Sequence, residues 1–529
     1  MSDTAKKLIA CMCVCAMLAA LCACGRQVVT GTGTGTSDNT ASDTGSTAAA
    51  AGDGKFSLFY ESGYSLNPMK TTNSDNQLVC SLIYENMVTV DNSFNLQAGM
   101  IIKWASDDGI HWTFDTDTTH VFSDGSKVTA RDVAYSLRCA INNARYENRF
   151  NGWIAAISAD DDDTFSVTLN KENTQFPMLL TLPVIEYNTM QNTYPVGSSA
   201  YTWAEDHKSL TANTHYAGAK ALPVSAVYLQ TYGAMEDFIT KFEDSTCDLV
   251  INDPSTSADL GFGSANEVRS FNTTNLHFIA FNMEKSYFKD GRLQYAFSRA
   301  FDRKYMAETL MQGNALPACE PINPASPLYN KYFDQRLGYD MDACRKTLAK
   351  IGVDDYDSDG SAEYKMGENN VELNLSFLVC TESSAKVSLA EKFASEMADI
   401  GITVNVKKLG WEDYKAALTA GSFDMCYCEV RLSPDFDLSC ILDSGGAANY
   451  SRGYDKTAVK YISQYLSASD KDRQDYCDQL CNYIAETGLI IPICFEKHQI
   501  ITHKGVITDM TVNQNDPMYN FADWKIKVS

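Results

Sequence analysis

Between residues 371 and 432 the apolar period of the chain changes from strand to helix and back, twice. "VELNLSFLVC" reads as a buried strand, and "SAKVSLAEKFASEMADIG" sets Val387, Ala390, Phe393, Met397 and Ile400 on one helical face before stopping at Gly401. "ITVNVKKL" then alternates as a strand, "WEDYKAALTAG" forms a short helix, and "FDMCYCEVRL" is a third strand. Strand–helix–strand units join parallel strands through right-handed crossovers, so this run predicts an α/β lobe and excludes an all-helical or all-β chain. From Lys55 onward about 475 residues carry ordinary globular composition. That is too long for one hydrophobic core, so two or more lobes are expected.

The elements upstream are of the same kind. "KFSLFYESG" (55–63) predicts a first strand, and "QLVCSLIYENMVTVD" a helix followed by a short strand. Thr129 and Asp132 form a capping pattern ahead of a Val133, Leu137, Ile141 stripe. "NLHFIAFNM" (275–283) predicts a strand that feeds one long helix, "GRLQYAFSRAFDRKYMAETLMQG", ended by Gly313. "GYDMDACRKTLAKIG" predicts a further capped helix.

The start of the chain has a different character. Lys6 and Lys7 precede "LIACMCVCAMLAALCAC", an apolar run shorter than the roughly 20 residues of a spanning helix, so residues 1–23 read as a secretory signal. The run ends in Leu21-Cys22-Ala23-Cys24, which resembles the lipobox of bacterial lipoproteins, with Cys24 as the acylated residue. The alternative is a plain signal peptide cut nearby. Residues 24–54 hold Gly, Thr, Ser and Ala with almost no large apolar side chains and are expected to be a flexible tether.

Several functions are excluded by composition and spacing. The formal net charge of −24 argues against nucleic acid and against adsorption on anionic lipid. Five of the 17 cysteines lie in residues 1–24; the twelve in the body form no Cys-x-x-Cys pair, and they read as small buried thiols or, alternatively, as disulfides of an exposed chain. "GTGTGT" is not flanked by a strand and a helix, and there is no Walker lysine motif, Gly-x-Ser-x-Gly elbow or His-x-x-x-His helix pair. Asp355, Asp357, Asp359 and Gly360 begin like a calcium loop, but its twelfth position is Met366 rather than a bidentate Glu. No metal and no cofactor is expected.

Four blocks, in order, resemble family 5 of the extracellular solute-binding proteins of ABC importers, the group of oligopeptide and dipeptide binders. They are "VFSDGSKVTARDVAYSL", "FNMEKSYFKDGRLQYAFSRAFDRKYMAETLMQGNALPA", "GYDMDACRKTLAKIGVDDYDSDGSAEY" and "GITVNVKKLGWEDYKAALTAGSFDM". The resemblance covers about residues 55–525. It implies a two-lobed clamp of the large periplasmic-binding-protein class with mixed sheets, and a ligand cleft between the lobes. Lobe I would be 55–273 with a C-terminal return at 500–529, and lobe II 282–492, joined by strands near 274–281 and 492–500. The implied role is a monomeric, lipid-anchored receptor on the outer face of the cell membrane. It would capture a peptide and pass it to a permease driven by a separate cytoplasmic ATPase. The alternatives are a metal chelate, haem or oligosaccharide in the same role, or a surface hydrolase.

Where peptide binders of the family commonly carry an Asp that meets the peptide amine, this chain has "CEVRLSPDFDL". On the strand at 423–432, Phe423, Met425, Tyr427, Glu429 and Arg431 share one face, and the charged pair lies near the carboxyl end, where α/β sheets bind ligands. Glu429 and Arg431 therefore either contact the ligand or pair structurally. Asp435, Tyr60, Tyr64, Trp411, Asn449 and Tyr450 are further candidates, the aromatics because they offer contact area with little entropy to lose. For the anchor, Cys24→Ser is expected to abolish palmitate labelling and detergent partitioning; labelling that persists unchanged overturns the lipobox assignment.

Overall fold

The computed structural model describes residues 55–143, 145–150, 152–254 and 265–528; the signal, Cys24 and the tether lie outside them. Eleven strands form one mixed sheet through the whole molecule. Its order is Thr403–Leu409, Asn374–Cys380, Met425–Arg431, Asn266–Phe281, Ile490–His503, Leu249–Asn252, Phe56–Phe59, Ala226–Gln230, Ser209–Ala212 and Tyr201–Trp203, with Ala315–Pro317 also on Ile490–His503. Asn374–Cys380 lies parallel to both Thr403–Leu409 and Met425–Arg431, as the crossover argument expects.

Two strands are much longer than the rest. Asn266–Phe281 and Ile490–His503 pair antiparallel from Asn266↔His503 to Ala280↔Ile490, with register shifts between Asn272 and Leu276 and between His277 and Phe278. On one side of the break the sheet continues through Leu249–Asn252, and on the other through Met425–Arg431. The result is two lobes, each with its own core. The first gathers Phe56, Phe114, Phe165, Leu180 and Tyr201, and the tail returns to it with Phe521 and Trp524. In the second lobe the sheet is covered on both faces: Leu276, Phe278, Ala280, Cys426 and Cys428 enter one cluster, and Ile279, Phe281, Phe377, Met425 and Tyr427 the other. Burial on both faces at period two explains the unbroken apolar runs "FIAF" and "MCYC".

The helix Ser384–Ala398 follows its sequence pattern. Ser383 caps it, and Leu389, Ala390, Phe393 and Met397 are buried, with Val387 and Ile400 partly so. Phe393 stacks on Phe301 with ring centroids 4.3 Å apart. The single long helix expected over 291–313 is not formed. It divides into Arg292–Phe297, a 3-10 turn Ser298–Ala300 and a π-helical segment Tyr305–Leu310. Phe301 is extended at the break, and the buried Arg303 guanidinium donates to the carbonyls of Pro492 at 2.7 Å, Ser298 at 2.8 Å and Leu337 at 3.1 Å. Those carbonyl bonds replace the helical ladder, a tertiary choice that local periodicity does not record.

All twelve cysteines of the body are free, and most are buried. Cys426 and Cys428 bring their sulfurs within 3.3 Å on one strand face. Glu320 is also buried; it accepts from the Asn330 amide at 2.6 Å, and burial pushes its carboxyl up to about 8. Between the ordinary glutamate value and about pH 8 it is protonated when folded and ionised when unfolded, so stability falls as pH rises through that window. Glu320→Gln removes the charge. The variant is expected to gain stability over the wild type on going from pH 5 to pH 8, by on the order of 2 kcal/mol in denaturant melts. A pH-independent difference would contradict this.

Candidate functional site

The strand Met425–Arg431 leaves the core half-way along. Met425 to Cys428 are buried, whereas Glu429 and Arg431 are exposed. Antiparallel register sets Glu429 opposite His277 and Arg431 opposite Asn275, both on the long strand Asn266–Phe281. The two charged residues therefore stand where the lobes meet.

They are not partners of each other. Lys386, in the first turn of Ser384–Ala398, reaches Glu429 with its Nζ 2.5 Å from Oε2. Burial pushes the Glu429 carboxyl up, but Lys386 and then His277 outweigh it and hold the group below its ordinary value. The structural pairing of Glu429 with Arg431 is thereby corrected: the strut is Lys386–Glu429, and a helix forty residues upstream supplies the cation.

The Arg431 side chain has no hydrogen bond and no ion pair among the described residues. Loss of part of its hydration between the lobes, then Arg149 and Arg145, pull its guanidinium down to about 10, with only Tyr146 opposing. Those two arginines belong to the first lobe. Arg145 donates to Pro68 O at 2.6 Å and Arg149 to Thr181 Oγ1 at 3.0 Å, and both lie beside the Tyr146 ring. Among the described residues none of the three makes an ion pair. Three guanidiniums brought together from two lobes repel one another, and an anion between them relieves that repulsion.

The remaining candidates divide. Asp435 is buried, with its carboxylate accepting from Ser433 Oγ at 2.5 Å and from Asn173 Nδ2 of the first lobe at 3.3 Å, and burial pushes it up to about 6. Asn449 pins its own loop by donating to Asp443 O at 2.8 Å and Gly453 O at 2.9 Å. Tyr450 and Trp411 pack on the second lobe's core, and Trp411 stacks on Tyr414 at 6.0 Å. Tyr60 packs on the first core, and Tyr64 is exposed. None of these is joined to Arg431 by a contact. The loop at 355–363 gathers the carboxylates of Asp355, Asp357, Asp359 and Glu363 within 4.8 Å of one another, with Asp355 accepting from the Asp359 and Gly360 amides.

Sequence reading passed over Arg145, Arg149 and Lys386. The basic pair of "ARYENRF", four residues apart around a tyrosine, was a visible signal; Lys386 resembles any exposed helix lysine.

Residues 95–435 match the family described as bacterial extracellular solute-binding proteins, family 5, middle. The chain belongs to family 5. This family is made up of solute-binding receptors of ABC importers. Curated relatives include haem-binding protein A of Haemophilus influenzae, 22% identical over 74% of this chain and 77% of that one. The periplasmic oligopeptide-binding protein OppA of Salmonella typhimurium is 23% identical over 82% of this chain and 85% of that one. The solved structure of HbpA2 from Haemophilus parasuis superposes with a TM-score of 0.73 at 17% identity, covering 89% of this family 5 chain and 99% of the other. It shows the shared two-lobed fold. No helix among the described residues is long and apolar enough to cross a membrane.

The Lys386–Glu429 strut is directly measurable. A double-mutant cycle of Lys386→Ala and Glu429→Gln is expected to give a coupling of about 1 kcal/mol in ligand-free stability, modest because Glu429 remains partly solvated. A coupling near zero would mean that the contact is not maintained in solution.

Proposed function

We propose that this family 5 protein is a receptor held at the outer face of the membrane by acylated Cys24, and that it captures a solute through an anionic group and delivers it to an ABC permease. The Arg431 guanidinium, without an ion pair among the described residues and subject to the positive charge of Arg145 and Arg149, carries the reading. Arg suits carboxylates because its planar fork gives two parallel charge-assisted hydrogen bonds. An oligopeptide is the preferred ligand, docked by its carboxylate end and by main-chain hydrogen bonds. An amine-reading acid is not free in this strand: Glu429 is held by Lys386, and Asp435 is buried and hydrogen-bonded.

In this reading lobe I is 55–273 with the return 500–529, and lobe II is 282–492. The packing of Ile500, Ile507 and Phe521 in the first core supports that division. Ligand contacts from both lobes favour the closed arrangement, which the permease then recognises.

Arg431→Ala is expected to weaken ligand binding by about 1.5–3 kcal/mol, the scale of a hydrogen bond to a charged group, while the ligand-free melting temperature changes little. Calorimetry with an oligopeptide mixture and with its C-terminally amidated form measures this. If amidation and Arg431→Ala both leave affinity unchanged, the anionic-end reading is wrong.

A further inference from the structure

Three neighbouring strands each bring one side chain to the same point. His277, on Asn266–Phe281, stands between Glu429 of Met425–Arg431 and Glu496 of Ile490–His503. The side chains of His277 and Glu496 are 0% exposed. His277 Nδ1 is hydrogen-bonded to the Tyr427 hydroxyl at 3.1 Å, which turns the other ring nitrogen toward the two carboxylates. Nε2 lies 3.7 Å from Glu429 Oε2 and 3.9 Å from Glu496 Oε2, too far for a hydrogen bond to either. It is buried without a partner, and so is Glu496 Oε1. A buried imidazole nitrogen left open toward two carboxylates is costly unless something occupies the space between them.

We propose that His277 Nε2, Glu429 and Glu496 bind one first-row divalent transition-metal ion, with Tyr427 fixing the imidazole and Lys386 holding Glu429 when the metal is absent. The spacing fits. Atoms 3.7–3.9 Å apart along two sides and within 4.8 Å on the third have a common centre about 2.2–2.5 Å from each, close to the ~2.0–2.2 Å of zinc bonds to imidazole and carboxylate. The mixed nitrogen and oxygen donors favour zinc, cobalt or nickel over magnesium or calcium. An outer layer is also in place. Asn275 Nδ2 donates to Glu496 Oε2 at 3.1 Å, and His498 Nε2 lies 3.8 Å from the same oxygen. Outer partners of this kind orient ligands and tune affinity. The three donors sit on adjacent strands of one sheet rather than on loops, so the triangle is rigid. Lys386 is a built-in competitor, because its ammonium occupies the same Glu429 oxygen that faces His277.

That competition gives the test a sign that misfolding cannot imitate. Tag-free mature protein titrated with Zn2+ by calorimetry is expected to bind one ion, and Co2+ to give a visible absorption band. Glu429→Gln and Glu496→Gln should each weaken Zn2+ binding by roughly tenfold or more, and Tyr427→Phe by about tenfold. Lys386→Met should instead tighten it, because the metal no longer displaces an ammonium. Three results overturn the proposal: no stoichiometric binding by the wild type, binding that survives both glutamate substitutions but is lost in Asp357→Asn, or a Lys386→Met variant that binds no tighter.

Discussion

The antiparallel pairing of Asn266–Phe281 with Ile490–His503 is the constraint on which the rest of the molecule depends. Both lobes hang their sheets on these two strands, so a slip of one residue would turn every side chain of the slipped strand to the opposite face. The pairing is interrupted near residues 273–275, and side chains take over from the ladder there. Thr273 Oγ1 donates to Glu496 O at 2.6 Å, Thr274 Oγ1 to Leu432 O at 2.7 Å, and Asn323 Nδ2 to Thr273 O at 2.8 Å. These bonds give the carbonyls of Glu496, Leu432 and Thr273 partners where the ladder is broken. His277, Glu429, Arg431 and Glu496 are fixed relative to one another because they stand on these strands and their neighbour.

Charge at the junction runs against charge on the whole. The chain carries a formal −24, yet Arg145 and Arg149 of the first lobe add positive charge that Arg431 of the second feels. An acidic exterior does not draw anions in from a distance, and screening shortens its reach to about 10 Å at moderate salt. Recognition of an anionic group therefore rests on short-range contact with guanidiniums that are partly desolvated. On the same sheet face, Lys386, His277 and Glu496 surround Glu429. Two residues of one strand, Glu429 and Arg431, thus enter opposite environments: one is compensated within the protein, and the other is left for something outside it.

Much of this fold was legible in the sequence. The α/β alternation over 371–432, the parallel strands, the apolar face of the helix Ser384–Ala398 and the shared face of Met425, Tyr427, Glu429 and Arg431 all follow from residue period, since backbone geometry fixes where successive side chains point. The family blocks likewise identified a two-lobed receptor, in agreement with the match over residues 95–435. The break in the 291–313 segment was not legible, because it depends on Arg303 meeting the carbonyls of Pro492 and Leu337 far along the chain.

The sequence by itself determined which residues share a face and which strand end carries charge. Only the tertiary structure decided who meets whom. Lys386 reaches Glu429 across 43 positions, His277 meets Glu496 across more than 200, and Arg431 feels the charge of Arg145 from the opposite lobe. The reason is physical. Local periodicity sets side-chain direction within an element, whereas the partner of a buried charge is set by the packing of elements distant in sequence, where desolvation selects the few arrangements that leave each charge compensated.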